Sequence, residues 1–552
     1  MPLSPASIGF RGTYRDDLAA RAVYSEAAGI ARIVPRAVAV PAHAEDVATL
    51  VRWAAETATP LVPRGSGSSM SGGAVGDGIV VDLSRLDAVH APDPARRTIR
   101  CEPGAVRDAI DAAARAVGLQ FPVDPSSGAF CTVGGMASTN AAGAHTLRYG
   151  STRPWVEALD CVFADGSRGE VRRGAPPPNV SVVQRALHEL APVVAAERAS
   201  PSRHAGVRKE SSGYGLADYA QSGELVDLLV GSEGTLALIV GLELRLAPQR
   251  PRTASLLGAF ATLEAAVVGA DGARRAGAVA CEALDRSFLE VARRGGASVP
   301  TPEDAETVLL AEVEASTQDE ADAMVREIER VFRAAGATMV ILALDPETEH
   351  GLWTLRHAAS PILNRLDPAL RPMQLIEDGC VPPERFSEYV RGVCAALDRQ
   401  GIRGIIFGHA GDANVHVDPM IDVREHDWKR RAEALVDEVT TLVARLGGTV
   451  AGEHGDGRLR APLLDRVWSA DAVARFTAVK HAFDPQGILN PGVKVAAAGV
   501  RGLGDVKYDP TLPPLPEPAR AALTFVERER AYARSRLALL EEAALDGRPG
   551  AV

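Results

Sequence analysis

Three glycine-rich stretches decide more about this chain than any other part of it: PRGSGSSMSGG (63–73), VGGMASTNAAG (133–143) and GSEGTLALI (231–239). Each is set beside an extended apolar run. Glycine lets a backbone take positive φ and approach a ligand closely, and successive N–H groups in such turns form a hollow for phosphate oxygens. The first stretch lacks the GK[ST] ending of a P-loop, and it runs into the strand-like GIVVDLS (78–84) rather than into a helix as a dinucleotide GxGxxG requires. A mobile surface loop is the plain reading of one such cluster. Three of them within about 200 residues, one domain's length, suit a large, elongated, pyrophosphate-bearing ligand.

The rest of the chain divides around these loops. Residues 1–35 form an N-terminal segment. From 36 to 249, VPRAVAVPA, RTIRC and ALDCVFADGS read as strands, and AEDVATLVRWAAET carries apolar residues at helical spacing. The texture changes at APQRPRTA (247–254). Between 250 and 469, ASLLGAF, TLEAAVVGADGARRAG and AVACEALD suggest strand, helix and strand. TVLLAEVEA, a helix burying Met324, Ile328 and Phe332, and MVILALD repeat the unit. That order predicts ferredoxin-like α+β packing. Residues 470–500 read as a closing segment, and 501–552 as the proline-rich linker DPTLPPLPEP followed by one long C-terminal helix. Its stripe of Leu523, Val526, Leu537 and Leu540 leaves two uses open: packing on the body, or pairing in a homo-oligomer.

A net charge of −11 over 552 residues gives a nucleic-acid role no electrostatic support. No apolar run approaches the ~18 residues of a membrane span, and the N-terminus has no signal-peptide pattern. The six cysteines form no CxxC. A cytoplasmic protein is expected, with peripheral membrane attachment left open.

Two further segments carry side-chain chemistry. GHAGDANVH (408–416) places His409 and His416 on two strand-like runs joined by a glycine turn, and AGEHGDG (451–457) sets Glu453 beside His454. His409, His416 and Glu453 could bind a divalent metal with an open position. His454 would then be free as a general base. A lone histidine more often caps a turn, but three with a glutamate in two glycine-bounded turns favour function.

The glycine stretches within PRGSGSSMSGGAVGDGIVVDLSRL, DPSSGAFCTVGGMASTNAAGAH and GSEGTLALIVGLELRLAP resemble the FAD-linked oxidase family. So do FGHAGDANVHV, VAGEHGDGRLRAPLL and FDPQGILNPGVKV. The family includes D-lactate dehydrogenases, glycolate oxidase flavoprotein subunits and D-2-hydroxyglutarate dehydrogenases. The resemblance spans roughly 36–496 and implies an FAD-binding domain of vanillyl-alcohol-oxidase type followed by a substrate (cap) domain. By it, Arg64, Gly65, Ser66, Gly67, Ser68, Ser69, Ser71 and Gly72 hold the pyrophosphate. Pro125, Gly134, Gly135, Ser138, Asn140 and Gly143 line the flavin and ribityl chain, Glu233 and Ile239 lie near the adenosine, and Asn490 returns from the closing segment. Some members attach flavin covalently to a histidine; His145 is the candidate here, with no pattern that marks it.

The resemblance further implies that His409, His416 and Glu453 bind zinc, manganese or a similar ion, and that His454 takes the substrate proton. Arg356 would clamp the substrate carboxylate, with Ser360 one turn later. Ala413 replaces a usual glycine, at little cost unless positive φ is needed there. Ile376 and Asp418 stand where dicarboxylate-specific members have Lys and Asn, which favours a lactate-like acid over 2-hydroxyglutarate. The implied activity is oxidation of a 2-hydroxy acid by FAD, with electrons passing to a quinone, an electron-transfer protein or a separate iron–sulfur subunit. The alternatives are an alkyl-glycerone-phosphate-synthase-like FAD enzyme, a metal-dependent hydrolase and a non-catalytic flavin-binding module.

Overall fold

A computed structural model describes residues 8–357, 370–497, 499–500 and 503–546. Its first sheet is built from the short apolar runs near the N-terminus. β1 (Thr13–Arg15), β2 (Ala37–Val40), β3 (Leu61–Arg64) and β4 (Ile79–Asp82) lie in the order β1-β2-β4-β3. The last three are parallel, and helix Ala44–Thr57 makes the crossover from β2 to β3. Every residue of β2 and β4 is buried, as strands covered on both faces require.

A second sheet is antiparallel. β5 (Thr98–Cys101), β7 (Val156–Val162), β8 (Arg168–Arg172) and β9 (Leu238–Arg245) run in the order β5-β9-β7-β8. β6 (Leu119–Gln120) pairs separately with β10 (Ala247–Pro248).

The third sheet carries the chemistry. β11 (Arg252–Phe260), β12 (Ala280–Asp285), β13 (Thr307–Ala315) and β14 (Met339–Ala343) take the order β14-β11-β13-β12, with helices Leu263–Arg275 and Gln318–Ala334 completing two βαβ units. This is the expected ferredoxin-like arrangement. It is extended past β12 by β17 (Arg403–His409), β18 (Asn414–Asp422) and β15 (Leu370–Pro372), while β16 (Gly379–Cys380) also pairs with β18. In the β17–β18 hairpin, Phe407 faces His416 and His409 faces Asn414. Residues 407, 409 and 416 therefore share one face of the sheet. The chain is thus α+β, a two-sheet part followed by a cap.

The chain after the cap returns to the first part. Helix Ala470–Phe483 buries Phe476, Val479 and Phe483 against the second sheet's core, and Leu489 bridges to Leu61 of β3. The tail differs from the single helix expected. It folds as two helices, Glu517–Glu529 and Arg536–Asp546, because Arg530 turns left-handed at φ 53° and ends the first. The turn lets Val526 on one helix and Leu537 and Leu540 on the other bury against the same surface, made by helix Leu18–Val23 and strands β2 and β4. No helix among the described residues is long and apolar enough to cross a membrane.

Candidate active site

A cavity of about 1170 Å³ opens between the first part and the cap. It is larger than the roughly 300–1,000 Å³ of ordinary small-molecule sites. One wall is the loop after β3, where Arg64, Gly65, Ser66, Gly67, Ser68 and Ser69 face the space. Gly67 has φ 74°, which turns neighbouring N–H groups toward one side. Two buried polar atoms on this wall, Ser69 Oγ and Arg64 Nη2, have no hydrogen-bond partner among the described residues. Unmet buried donors beside a glycine loop fit an anionic group such as the FAD diphosphate.

Pro125, Gly134, Gly135, Ser138 and Gly143 line the cavity further along, with Glu233 and Ile239 beyond them. Ser71, Gly72, Asn140 and Asn490 lie behind the wall. Ser71 donates its hydroxyl to the His454 carbonyl (3.1 Å). Asn140 caps its helix in a left-handed turn and accepts from the Arg153 N–H. Asn490 donates to the carbonyls of Gly73 and Glu233. These side chains brace the loops from outside. The Glu233 carboxylate is likewise committed, accepting from the N–H groups of Asp456 and Gly457 and pairing with Lys494 at 3.1 Å.

That bond helps shape the loop bearing Glu453 and His454. Gly455 and Gly457 sit at φ 76° and 52°, and a Cβ on either would lie 2.6 Å from a Glu233 oxygen or 2.0 Å from the Ser71 carbonyl. Asp378, fully buried, accepts the backbone N–H groups of Glu453 (3.0 Å) and His454 (2.7 Å). The loop is pinned from both sides.

Three imidazoles then meet one oxygen. Glu453 Oε1 lies 3.2 Å from His409 Nε2, 3.3 Å from His416 Nε2 and 3.7 Å from His454 Nε2. The first two histidines are held by their other nitrogens: His409 Nδ1 at 2.6 Å from Glu282, and His416 Nδ1 at 2.7 Å from the Glu377 carbonyl. Outer partners of this kind orient metal-ligating histidines. Separations near 3.2 Å match the ~3.4 Å between tetrahedral positions about 2.1 Å from an ion. The His409–Glu453 and His416–Glu453 pairs are thus spaced as neighbouring ligands of a divalent cation would be. Asp378, His416, Glu453 and His454 also bring one donor atom each within 4.8 Å, but the Asp378 carboxylate already serves two N–H groups and Arg460.

The local charges explain the protonation. Burial would raise the Glu453 carboxyl, but Lys209, 3.1 Å from Oε2, and His409 hold it well below the usual range. Burial likewise opposes the His409 cation, yet Glu282 lifts it to about 9, so a cation binding at Nε2 must displace a proton. Burial keeps His416 below its ordinary value. For His454, burial is outweighed by Asp378, Glu377 and Glu453, which raise it. His454 is also the most exposed of the three, at 26%.

Arg356 stands beside this group. Its Nε is 2.7 Å from Glu282 and its guanidinium lies 4.9 Å from the Phe407 ring centre. Glu282 thus ties Arg356 and His409 together. Ser360 lies outside the described residues. Ile376 is buried and does not face the cavity, whereas Asp418 does. Burial and Glu377 push Asp418 up to about 7, so near neutrality it repels a second carboxylate less than a full charge would. Ala413 takes φ 56°. Positive φ is needed after all, at roughly 1–2 kcal/mol for a residue with a Cβ.

His145 also faces the cavity. Its Nδ1 bonds Asp124 and its Nε2 lies 2.7 Å from Glu312 on β13. Both nitrogens meet carboxylates, which raise its pKa well above the ordinary value. Sequence reasoning gave no role to Lys209, Glu282, Glu377 or Asp378.

A split α+β body around a long cavity, with a glycine-loop wall facing an imidazole cluster, is the build of a vanillyl-alcohol-oxidase-type flavoprotein. The fold is similar to 4-ethylphenol oxidase from Gulosibacter chungangensis (TM-score 0.65, 15% identity, 87% of this chain and 94% of that one). It is also similar to an alkyldihydroxyacetonephosphate synthase (TM-score 0.57, 14% identity, 87% and 82%). Residues 35–172 match the family described as FAD binding domain, and 249–493 the one described as FAD linked oxidases, C-terminal domain. The D-lactate dehydrogenase of Archaeoglobus fulgidus is 30% identical over 83% of this chain and 92% of its own length. A glycolate oxidase subunit (GlcD) of Bacillus subtilis is 29% identical over 87% and 93%. The D-2-hydroxyglutarate dehydrogenase of Pseudomonas putida is 29% identical over 88% of this chain but only 50% of its own. The chain belongs to the FAD-linked oxidase family, and is a flavoprotein oxidoreductase.

Proposed function

We propose that the protein oxidises a 2-hydroxy acid to the 2-oxo acid, with a D-lactate-like substrate favoured. The convergence of His409, His416 and His454 on one Glu453 oxygen, at the Arg356 end of the cavity, carries this reading. The similar proteins act, by their names, on glycolate, D-lactate and D-2-hydroxyglutarate, all 2-hydroxy acids.

Arg356 binds the substrate carboxylate, sharing its guanidinium with Glu282. His454 in its unprotonated form accepts the hydroxyl proton at an imidazole nitrogen, and the carboxylates that raise its pKa make it a stronger base. Glu377 and Asp378 stabilise the imidazolium that results, at 3.5 and 3.9 Å from Nδ1. His409, His416 and Glu453 would hold a divalent cation, which when bound supplies Lewis-acid polarisation of the substrate's oxygens. The glycine loops would hold FAD, which when bound would supply the acceptor for a hydride from the α-carbon. Residues 36–249 are assigned to the cofactor and 250–469 to the substrate. The electrons go on to a quinone, an electron-transfer protein or a separate iron–sulfur polypeptide.

The test is anaerobic. The yellow protein is mixed with D- and L-2-hydroxy acids, with and without chelator, and flavin absorbance is followed. D-lactate should bleach the flavin and chelator should slow the bleaching. A protein that stays colourless when offered FAD would instead favour the hydrolase.

A further inference from the structure

The tail lies outside both matched families, yet Thr524, Arg528, Arg530 and Tyr532 line the cavity. Tyr532 packs against Phe130 of the first part, ring centres 5.2 Å apart, and the Arg530 guanidinium lies 5.0 Å from the Phe130 centroid. Arg536, 3% exposed, passes behind the glycine loop and donates to the Ser66 carbonyl at 3.0 Å.

This corner holds unusual charge. Arg64, Arg530 and Arg536 form no ion pair among the described residues; Arg64 and Arg536 are buried and attracted by Asp82 from beyond that distance, whereas Arg530 is exposed at the cavity edge. Arg64 Nη2 and Arg536 Nε are buried without hydrogen-bond partners. Burial and the neighbouring Arg64 push Arg536 down to about 10. The buried pair Arg64 and Arg536 is only partly offset by Asp82, and a further anion would lower its cost. A loop of N–H groups, a facing cation and an aromatic wall together match a diphosphate attached to a flat base.

We propose that the tail turn at Arg530–Tyr532 is the outer wall of the cofactor site and receives the adenosine diphosphate half of FAD. Arg530 is the counter-ion for the diphosphate, Phe130 and Tyr532 flank the adenosine, and Arg536 is a positioning residue that fixes the 64–73 loop from behind. This rests on the FAD reading above.

The test compares two flavins. Apoprotein is titrated with FAD and with FMN, which lacks the adenosine half, and flavin fluorescence is followed. Arg530→Gly removes the guanidinium while suiting φ 53°, and it should weaken FAD binding about tenfold or more, as losing a charged hydrogen-bond partner does, with FMN unchanged. Arg536→Met should show the same selective loss. FAD affinity untouched in Arg530→Gly, or equal losses for both flavins, would overturn the proposal. A wild-type protein that binds neither flavin would overturn the cofactor reading itself.

Discussion

His409 and His145 each hang between two carboxylates on the wall of one cavity, and their surroundings differ in a single respect. The far nitrogen of His145 faces Glu312 at 2.7 Å. The far nitrogen of His409 faces a Glu453 oxygen that His416 and His454 also approach. The first pairing is saturated. Asp124 belongs to the cofactor part and Glu312 to the cap, so His145 latches the two together. In the second, three ring nitrogens compete for one oxygen, and an ion or a moving proton can settle that competition. Chemistry follows from the unbalanced count of donors and acceptors rather than from histidine and carboxylate as such.

Breaking the second cluster should have the larger effect. His454→Ala should slow anaerobic flavin reduction by about 10²–10⁴, the usual weight of a general base, while FAD and metal stay bound; an undiminished rate would remove His454 from that role. Glu282→Gln loosens the hold on His409, and zinc affinity by equilibrium dialysis should fall about 10–100-fold. Unchanged affinity would mean that Glu282 does not orient the ligand.

The latch should report through pH instead. Burial opposes the His145 cation, but Asp124 and Glu312 raise its pKa well above the ordinary value. A raised folded pKa gives stability that is full below about 6.5, the unfolded histidine value, and is lost as pH rises through the folded one. The unfolding free energy of the wild type should therefore decline across that window by at most about 1.4 kcal/mol per pH unit. His145→Gln should lack this component, and an identical pH dependence of the unfolding free energies from urea titrations of the two proteins would refute the latch.

The sequence made the sheets and the two chemical segments legible for a simple reason. Glycine runs, alternating strands such as those around His409 and His416, and an acid beside a histidine are local patterns. What was hidden depends on distance in the chain. Lys209 reaches Glu453 from 244 residues away, and Glu282 reaches His409 from 127. An isolated lysine or glutamate in a sequence carries no sign of such a partner. The break at Arg530 was hidden because neither glycine nor proline marks it, and only packing against helix Leu18–Val23 and strands β2 and β4 repays the left-handed turn. Asn140 and Asn490 sit in family motifs, but which way a side chain points from a loop is settled by three-dimensional neighbours.

The β17–β18 hairpin sets the phase of the reactive end. Phe407 opposite His416 and His409 opposite Asn414 leave four residues, 410–413, to join the strands. Adding or deleting one residue there would invert the second strand and carry His416 to the far side of the sheet. Substitutions in this connection can be absorbed, as Ala413 in a left-handed turn demonstrates; a change in its length would dismantle the cluster with every histidine still present.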